Sequence, residues 1–297
     1  MPVVVTGADT PVGRALVPLL RERGSEVRAT VRDMDAADPL RGLGAKVATN
    51  AASDPDTLRA VLDEAHTVCF PSEDLFLHDG RSYEESIVES TRTVLRVATK
   101  AKVRRVLFVS FPGATSSSPN DFLRSKGLAE DLVRDSGLEH AILRCTHIYG
   151  PGSPWVDFMV RVSRHRPAIV VGSGTQRIAP VFSVDVARAL AAADDRAVPV
   201  SGTYGLQGPE EITANELADL FGGPGSPKRH VRPGPGPPDA SLVGRTLALN
   251  WSAAIGDVMA ADCLSDAPDA THEFGLERTS LTAGLRASGF ESSRPAR

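Results

Sequence analysis

Val3-Val4-Val5-Thr6-Gly7-Ala8-Asp9-Thr10-Pro11-Val12-Gly13-Arg14 stands at the start of the chain and decides its fold. Three consecutive valines make a strand that is apolar on both faces, since β-branched side chains suit a two-sided, pleated core. The strand stops at Thr6-Gly7, and apolar residues then recur at Val12, Leu16, Leu19 and Leu20, along one face of a helix. A strand, a glycine turn and a helix in this order aim unpaired backbone N–H groups at whatever lies above the turn. The partly positive helix end, with the close approach that glycine permits, suits a phosphate. Thr10 replaces the middle glycine of the usual triplet, so the signal draws its weight from the strand before it and the helix after it. The stretch reads as a dinucleotide site opening an α/β domain.

The next strand, Ser25–Val31, closes in Arg32-Asp33. An acid at that place binds a ribose 2′-hydroxyl, whereas an arginine accommodates a 2′-phosphate. Arg32, with Arg14 at the start of the first helix, therefore points to NADP(H). Asp33 keeps NAD open, and a solvated surface role for Arg32 is the plain alternative.

With 297 residues the chain exceeds a usual single domain. Acidic and basic residues are interleaved and the net charge is −4, which argues against a nucleic-acid surface or a membrane patch. Cys69, Cys145 and Cys263 are far apart and lack metal-ligand spacing, as expected of buried thiols in a reduced compartment. The first strand begins at once, so no leader is expected, and no apolar run approaches the roughly 18 residues of a membrane span. These features predict a soluble, cytoplasmic protein with no bound metal.

Further along, Lys46–Thr49 reads as a third strand running into Asn50, and Thr57–Glu64 as a helix. A fourth strand, Thr67–Phe70, follows, then a helix over Tyr83–Lys100 and a fifth strand, Arg105–Ser110. A helix over Phe122–Ser136 and a sixth strand, Ala141–Thr146, complete a parallel, doubly wound pattern. Tyr149–Pro154 breaks the order, and the helix beyond carries Trp155, Phe158 and Met159. Val181–Ala193 reads as helix, Thr203–Leu206 as strand and Thr213–Leu220 as a helix capped by Thr213 with Glu216. Gly222–Pro238 is too rich in glycine and proline for regular structure and reads as a linker or flap. The tail, with Phe274-Gly275-Leu276 and Leu281–Leu285, reads as one closing helix, and Ser292–Arg297 as a frayed end. This predicts a Rossmann-type domain over 1–150 plus roughly 178–206. An intertwined substrate-binding region takes 151–177 and 207–297, with a flap near 222–240.

Taken together, Thr6-Gly7…Gly13, Arg32, the strand ending at Ser110, Phe122-Leu-Arg-Ser-Lys126, Ile148-Tyr149-Gly150-Pro151-Gly152 and Val181-Phe182-Ser183-Val184-Asp185 resemble the extended and atypical short-chain dehydrogenase/reductase superfamily. The resemblance runs over nearly the whole chain. It implies cofactor contacts at Gly7, Thr10, Pro11, Val12, Gly13, Arg32, Asn50, Phe70, Ser110 and Lys126, the lysine serving the nicotinamide ribose. It also implies a substrate pocket around Phe111, Phe122, His147, Tyr149 and Trp155.

The departures from that family pattern bear on chemistry. The family's tyrosine acid stands four residues before the lysine, where this chain has Phe122. The serine position is Pro112 and the asparagine position Ile87. A reduced ketone becomes an alkoxide and needs a proton, and losing one general acid costs about 10²–10⁴-fold. Two readings follow. In one, the protein reduces a ketone whose own neighbouring phenol supplies the proton. The Phe-x-x-x-Lys variant is similar to atypical ketoreductases of angucyclinone biosynthesis, which implies a bulky aromatic polyketide substrate. In the other, it resembles the nitrogen-regulator-type members that bind NADP(H) and do no chemistry. His147 and Tyr149 are the nearest candidate donors; packed, structural roles are the alternative for both. Asp185 is expected to hold its turn, and Lys228-Arg229-His230 to be a solvated cluster.

Overall fold

The computed structural model describes residues 2–32, 34–49, 54–71, 75–76, 81–195, 197, 201–233 and 252–290. In chain order the elements are β1 (Val3–Val5), α1 (Pro11–Glu22), β2 (Val27–Val31), α2 (Ala37–Gly42), β3 (Lys46–Thr49), α3 (Pro55–Leu62) and β4 (Thr67–Phe70). Then come α4 (Ser90–Lys100), β5 (Arg105–Ser110), α5 (Asp121–Asp135), β6 (Glu139–Cys145), β7 (Ile148–Tyr149), α6 (Pro154–Arg164) and β8 (Ala168–Val171). The last part holds β9 (Arg177–Ile178), β10 (Val181–Phe182), α7 (Ser183–Asp194), β11 (Ser201–Leu206), β12 (Ile212–Thr213), α8 (Ala214–Gly222) and β13 (Lys228–Val231). Three short helices close the described chain: α9 (Ala253–Ala260), α10 (Ala270–Phe274) and α11 (Leu281–Ala287).

Seven strands form one parallel sheet in the order β11-β6-β5-β4-β1-β2-β3. β1 lies inside it, Val3 pairing with Val27 on one side and Thr67 on the other. The sequence order therefore reverses beside β1, and the carboxyl ends of the strands open a crevice there. Strands buried on both faces explain the unbroken apolar runs of β1, β4 and β5. One face packs on α1 and α7 through Leu16, Val17, Val186 and Leu190. The other packs on α4 and α5 through Val94, Leu95, Ala129 and Val133, and its core continues into α6, α8 and α9.

Several sequence expectations need correction. The Gly222–Pro238 stretch is not wholly irregular: Lys228–Val231 forms β13, paired in parallel with β8. That pairing partner lies some sixty residues away, so local composition could not reveal it. The remainder of the expected flap, 234–240, lies outside the described residues, as do Asp33, Asn50 and Ser292–Arg297. The tail is two helices rather than one, split where Gly275 takes a left-handed conformation (φ 65°). Val181–Phe182 is a strand pairing with β7, and the helix starts at Ser183. The helix read from Tyr83 begins as a π-turn over Glu84–Glu89 before α4.

Among the described residues no helix is long and apolar enough to cross a membrane, and no group of three or more metal-ligating side chains occurs. All three cysteines are buried and unbridged, and burial pushes the Cys69 thiol well up.

Candidate functional site

The β1–α1 turn is built by backbone. Gly7 takes φ +57°, and Thr10 caps α1, its hydroxyl accepting from the Gly13 N–H at 3.1 Å. The Arg14 N–H donates to the Thr10 carbonyl at 2.9 Å, and Pro11, at the first helical position, has no N–H. Among the described residues, the Val12 N–H is the first-turn donor with no partner, at the open end of the helix. A Cβ on Gly13 would lie 2.6 Å from the Ala8 Cα and 2.8 Å from the Gly7 carbonyl oxygen, so the helix can approach this turn only with glycine there. The cradle fits a pyrophosphate, with Gly7, Thr10, Pro11, Val12 and Gly13 as its wall.

Arg32, at the end of β2, is 56% exposed in its side chain, and its Nε stands 3.9 Å from Oδ2 of Asp9, a residue of the turn itself. Arg14 extends the other way, its guanidinium lying at the Gly152 turn beyond β7. Phe70 ends β4 and packs on Phe108, ring centroids 5.8 Å apart.

Across the crevice, α5 carries Lys126. It is buried, its Nζ donating to the Val109 carbonyl at 3.2 Å and lying 5.4 Å from the centre of the Phe108 ring and 6.0 Å from that of Phe122. Phe122 is wholly buried, meeting Tyr83 and Phe111 edge-on at 5.5 and 5.3 Å. Phe111 continues the contact to His147, which stacks on Trp155 at 5.4 Å with planes 15° apart. The structure thus gathers Phe111, Phe122, His147 and Trp155 into one row of rings beside Lys126. Tyr149 is not part of that row. Its phenol donates to the Ser280 carbonyl at 3.3 Å and its ring lies on Phe182. Burial, with the Asp185 and Glu210 carboxylates adding to it, pushes its ionisation well above the ordinary phenol range. Asp185 accepts from the Thr279 N–H and hydroxyl, which holds the start of α11.

The two other family positions carry no hydroxyl. Pro112 and Gly113 (φ +79°) are the centre of a turn closed by the Ala114 N–H on the Phe111 carbonyl at 3.2 Å. Proline followed by a positive-φ glycine is the pattern of a type II turn. Ile87 is buried in the core. Ser110 donates to Glu130 Oε1 at 2.6 Å, so its hydroxyl is engaged by α5.

That contact belongs to a network that local sequence reading missed. Glu130 is buried and accepts from Arg144 Nε and Nη2, each at 2.9 Å, and from Arg134 at 2.5 Å. Arg144 also donates to Asp266 at 3.1 Å, and Asp266 accepts from the Gly113 N–H at 2.7 Å. The Glu130 hydrogen bonds hold the Arg144 guanidinium firmly charged. The network ties the turn after β5 to a segment over a hundred residues downstream. Gly127 lets that same loop cross α5, since a Cβ there would fall 2.1 Å from the Thr115 carbonyl carbon. The available signal was Glu130 four residues after Lys126, one helical turn along the same face.

Known proteins share this family and fold. The sequence profile of a family described as NAD(P)H-binding matches residues 7–161, a little over half of the chain. An Arabidopsis thaliana protein, NADH dehydrogenase [ubiquinone] 1 alpha subcomplex subunit 9, mitochondrial, is 32% identical over 235 residues, covering 73% of this chain and 56% of that one. The ceramide reductase of Caulobacter vibrioides is 28% identical over 198 residues, covering 64% and 60%. The chain therefore spans little more than half the length of these relatives. In structure it resembles the Citrobacter sp. triphenylmethane reductase complexed with NADP(H), with TM-score 0.75, 19% identity, and 97% of this chain and all of that one covered. It also resembles the Thermus thermophilus UDP-glucose 4-epimerase complexed with NAD, with TM-score 0.71, 18% identity and 97% of each chain covered. The glycine turn, the parallel sheet order and the profile match lead to one conclusion: the chain belongs to the NAD(P)H-binding family, with the Rossmann-type fold of the short-chain dehydrogenase/reductases.

Proposed function

We propose that the protein is an NAD(P)H-dependent reductase acting on the ketone of a bulky aromatic substrate, of the angucyclinone polyketide type, in antibiotic biosynthesis. The row of rings from Phe122 through Phe111 and His147 to Trp155, beside Lys126, is the observation that carries this reading. The four rings are 0–3% exposed and pack on one another, and an aromatic ligand reaching this row would meet it by offset stacking and edge contacts. Relatives named as reductases, of ceramide and of cinnamoyl-CoA, give the reading its reaction class. NAD(P)H, when bound, supplies a hydride. The chain's own part would be to hold the pyrophosphate at the β1–α1 turn, with Lys126 serving the ribose and the ring row beside it meeting the substrate. Proton supply falls to the substrate. A phenol beside the ketone passes its hydroxyl proton to the oxygen that gains charge, and the resulting phenolate is reprotonated from water. Phe122 and Pro112 offer no group that competes for that role.

A second reading rests on the same two residues. With no hydroxyl at Phe122 or Pro112, the protein binds NAD(P)H and turns nothing over. Two relatives have names that state no reduction: the complex subunit above and the photosystem II assembly factor Ycf39 of Cyanophora paradoxa. The test is NADPH oxidation in the presence of an angucyclinone ketone, with mass analysis of the product. A gain of two hydrogens supports the reductase. Tight NADPH binding with no turnover of this ketone, or of simpler ortho-hydroxyaryl ketones, favours the second reading.

A further inference from the structure

Asp9 occupies the phosphate turn itself, between Ala8 and Thr10, and no motif logic assigns it a task. Its carboxylate is nearly buried, 13% exposed, and Oδ2 lies 3.9 Å from the Arg32 guanidinium. Oδ1 is fully buried and accepts no hydrogen bond from any described residue. Arg32 is thus the cation facing a carboxylate that the turn leaves poorly compensated. Arg32 also stands where an adenosine ribose carries either a 2′-hydroxyl or a 2′-phosphate.

We infer that Asp9 is a specificity-determining residue: it competes with a 2′-phosphate for Arg32, so the site takes NADH and NADPH with similar affinity. With NADPH, the guanidinium must turn from Asp9 to the phosphate. The Asp9 carboxylate then stays behind, buried, unpaired and beside a group of the same sign, and such a charge is costly. With NADH, Arg32 stays on Asp9, and Oδ2 accepts from the 2′-hydroxyl, a charge-assisted hydrogen bond. Arginine at the end of β2, read by itself, predicts a clear NADPH preference. The Asp9 pairing cancels much of it.

The experiment is calorimetric titration of NADH and NADPH into the full chain, wild type and variants. It reads binding, so its outcome is independent of whether the protein turns over any ketone. The wild-type dissociation constants are expected to agree within about tenfold. Asp9→Asn keeps the shape and removes the charge, and it should shift the ratio at least about tenfold toward NADPH. Asp9→Ser should do the same if the asparagine variant folds poorly. Arg32→Ala should move the ratio the other way, chiefly by weakening NADPH. The inference is overturned if the ratio stays put in both Asp9 variants, if it moves toward NADH, or if both affinities fall together.

Discussion

At the β1–α1 turn the binding groups are backbone: a capped helix end, a left-handed glycine and a donor left over at Val12. At the ends of β5 and β6 they are side chains, and those facing Lys126 are rings. The turn is partly exposed, whereas the ring row is buried. They differ in what a substitution removes. The turn depends on the absence of side chains, so one added carbon is enough to break it. The ring row has Phe122, with Pro112 beside it, at the positions where the family resemblance expects hydroxyls, and its rings pack on one another. The turn therefore concentrates its polar geometry in a few backbone atoms, while the ring row offers apolar surface beside one lysine.

The sharpest way to break this contrast is Gly13→Ala. Its Cβ would fall within 2.9 Å of three backbone atoms of Gly7 and Ala8. Overpacking against backbone costs about 3 kcal/mol of stability. NADPH affinity should fall with it by at least about 100-fold, since the Val12 N–H moves with the turn. Calorimetry with and without NADPH reads both losses. A variant that binds normally would show that the turn is not the anchor.

Next in size is Glu130→Gln. The buried carboxylate accepts from Ser110, Arg134 and Arg144, and an amide leaves the guanidinium groups poorly matched. Removing one partner of a buried ion pair costs about 3 kcal/mol. Urea unfolding measures it, and a loss below about 1 kcal/mol would mean that Asp266 alone holds Arg144. NADPH affinity should change far less than in Gly13→Ala, because the network makes no contact with the β1–α1 turn.

Phe122→Tyr tests the ring end directly. Under the reductase reading, turnover of an ortho-hydroxyaryl ketone should change by less than about tenfold, whereas a missing protein acid would be restored with a gain of about 10²–10⁴. The O-methylated substrate sharpens the point: it should be poor with wild type and improve in Phe122→Tyr. Activity that is zero until the tyrosine is present would sink substrate-supplied protonation.

Much of the nucleotide end was legible because its signals are local. Gly7, Thr10, Pro11 and Gly13 lie within seven residues, and each answers a backbone requirement that any strand-turn-helix imposes. Arg32 was legible as a cation but not as the partner of Asp9, since their meeting depends on β2 lying beside β1. The same applies to Asp266, which reaches Arg144 and Gly113 only through the path of the C-terminal chain. Strand β13 failed to show for a related reason: glycine and proline around it dominate the composition, while its pairing with β8 is long-range. Ser110 could be placed at a strand end, yet the side its hydroxyl faces was set by Glu130 on α5.

The smallest effect concerns Tyr149, which stands outside both ends and anchors α11 through the Ser280 carbonyl. Burial raises its phenol above the ordinary value of 10.0, so the folded state favours the protonated form. That contribution to stability is complete below the unfolded value near pH 10 and is lost as pH rises through it toward the folded one. The slope there is about 1.36 kcal/mol per pH unit. Tyr149→Phe lacks both the hydrogen bond and the titration. At neutral pH it should be less stable by about 1 kcal/mol. Between about pH 9.5 and about pH 11 wild type should lose about 1 kcal/mol more than the variant, and the two urea curves should converge. Parallel pH dependence would mean that the phenol is solvated in the folded protein and that α11 is held without it, by Asp185 and by Glu210, which accepts from the Leu281 N–H at 2.8 Å.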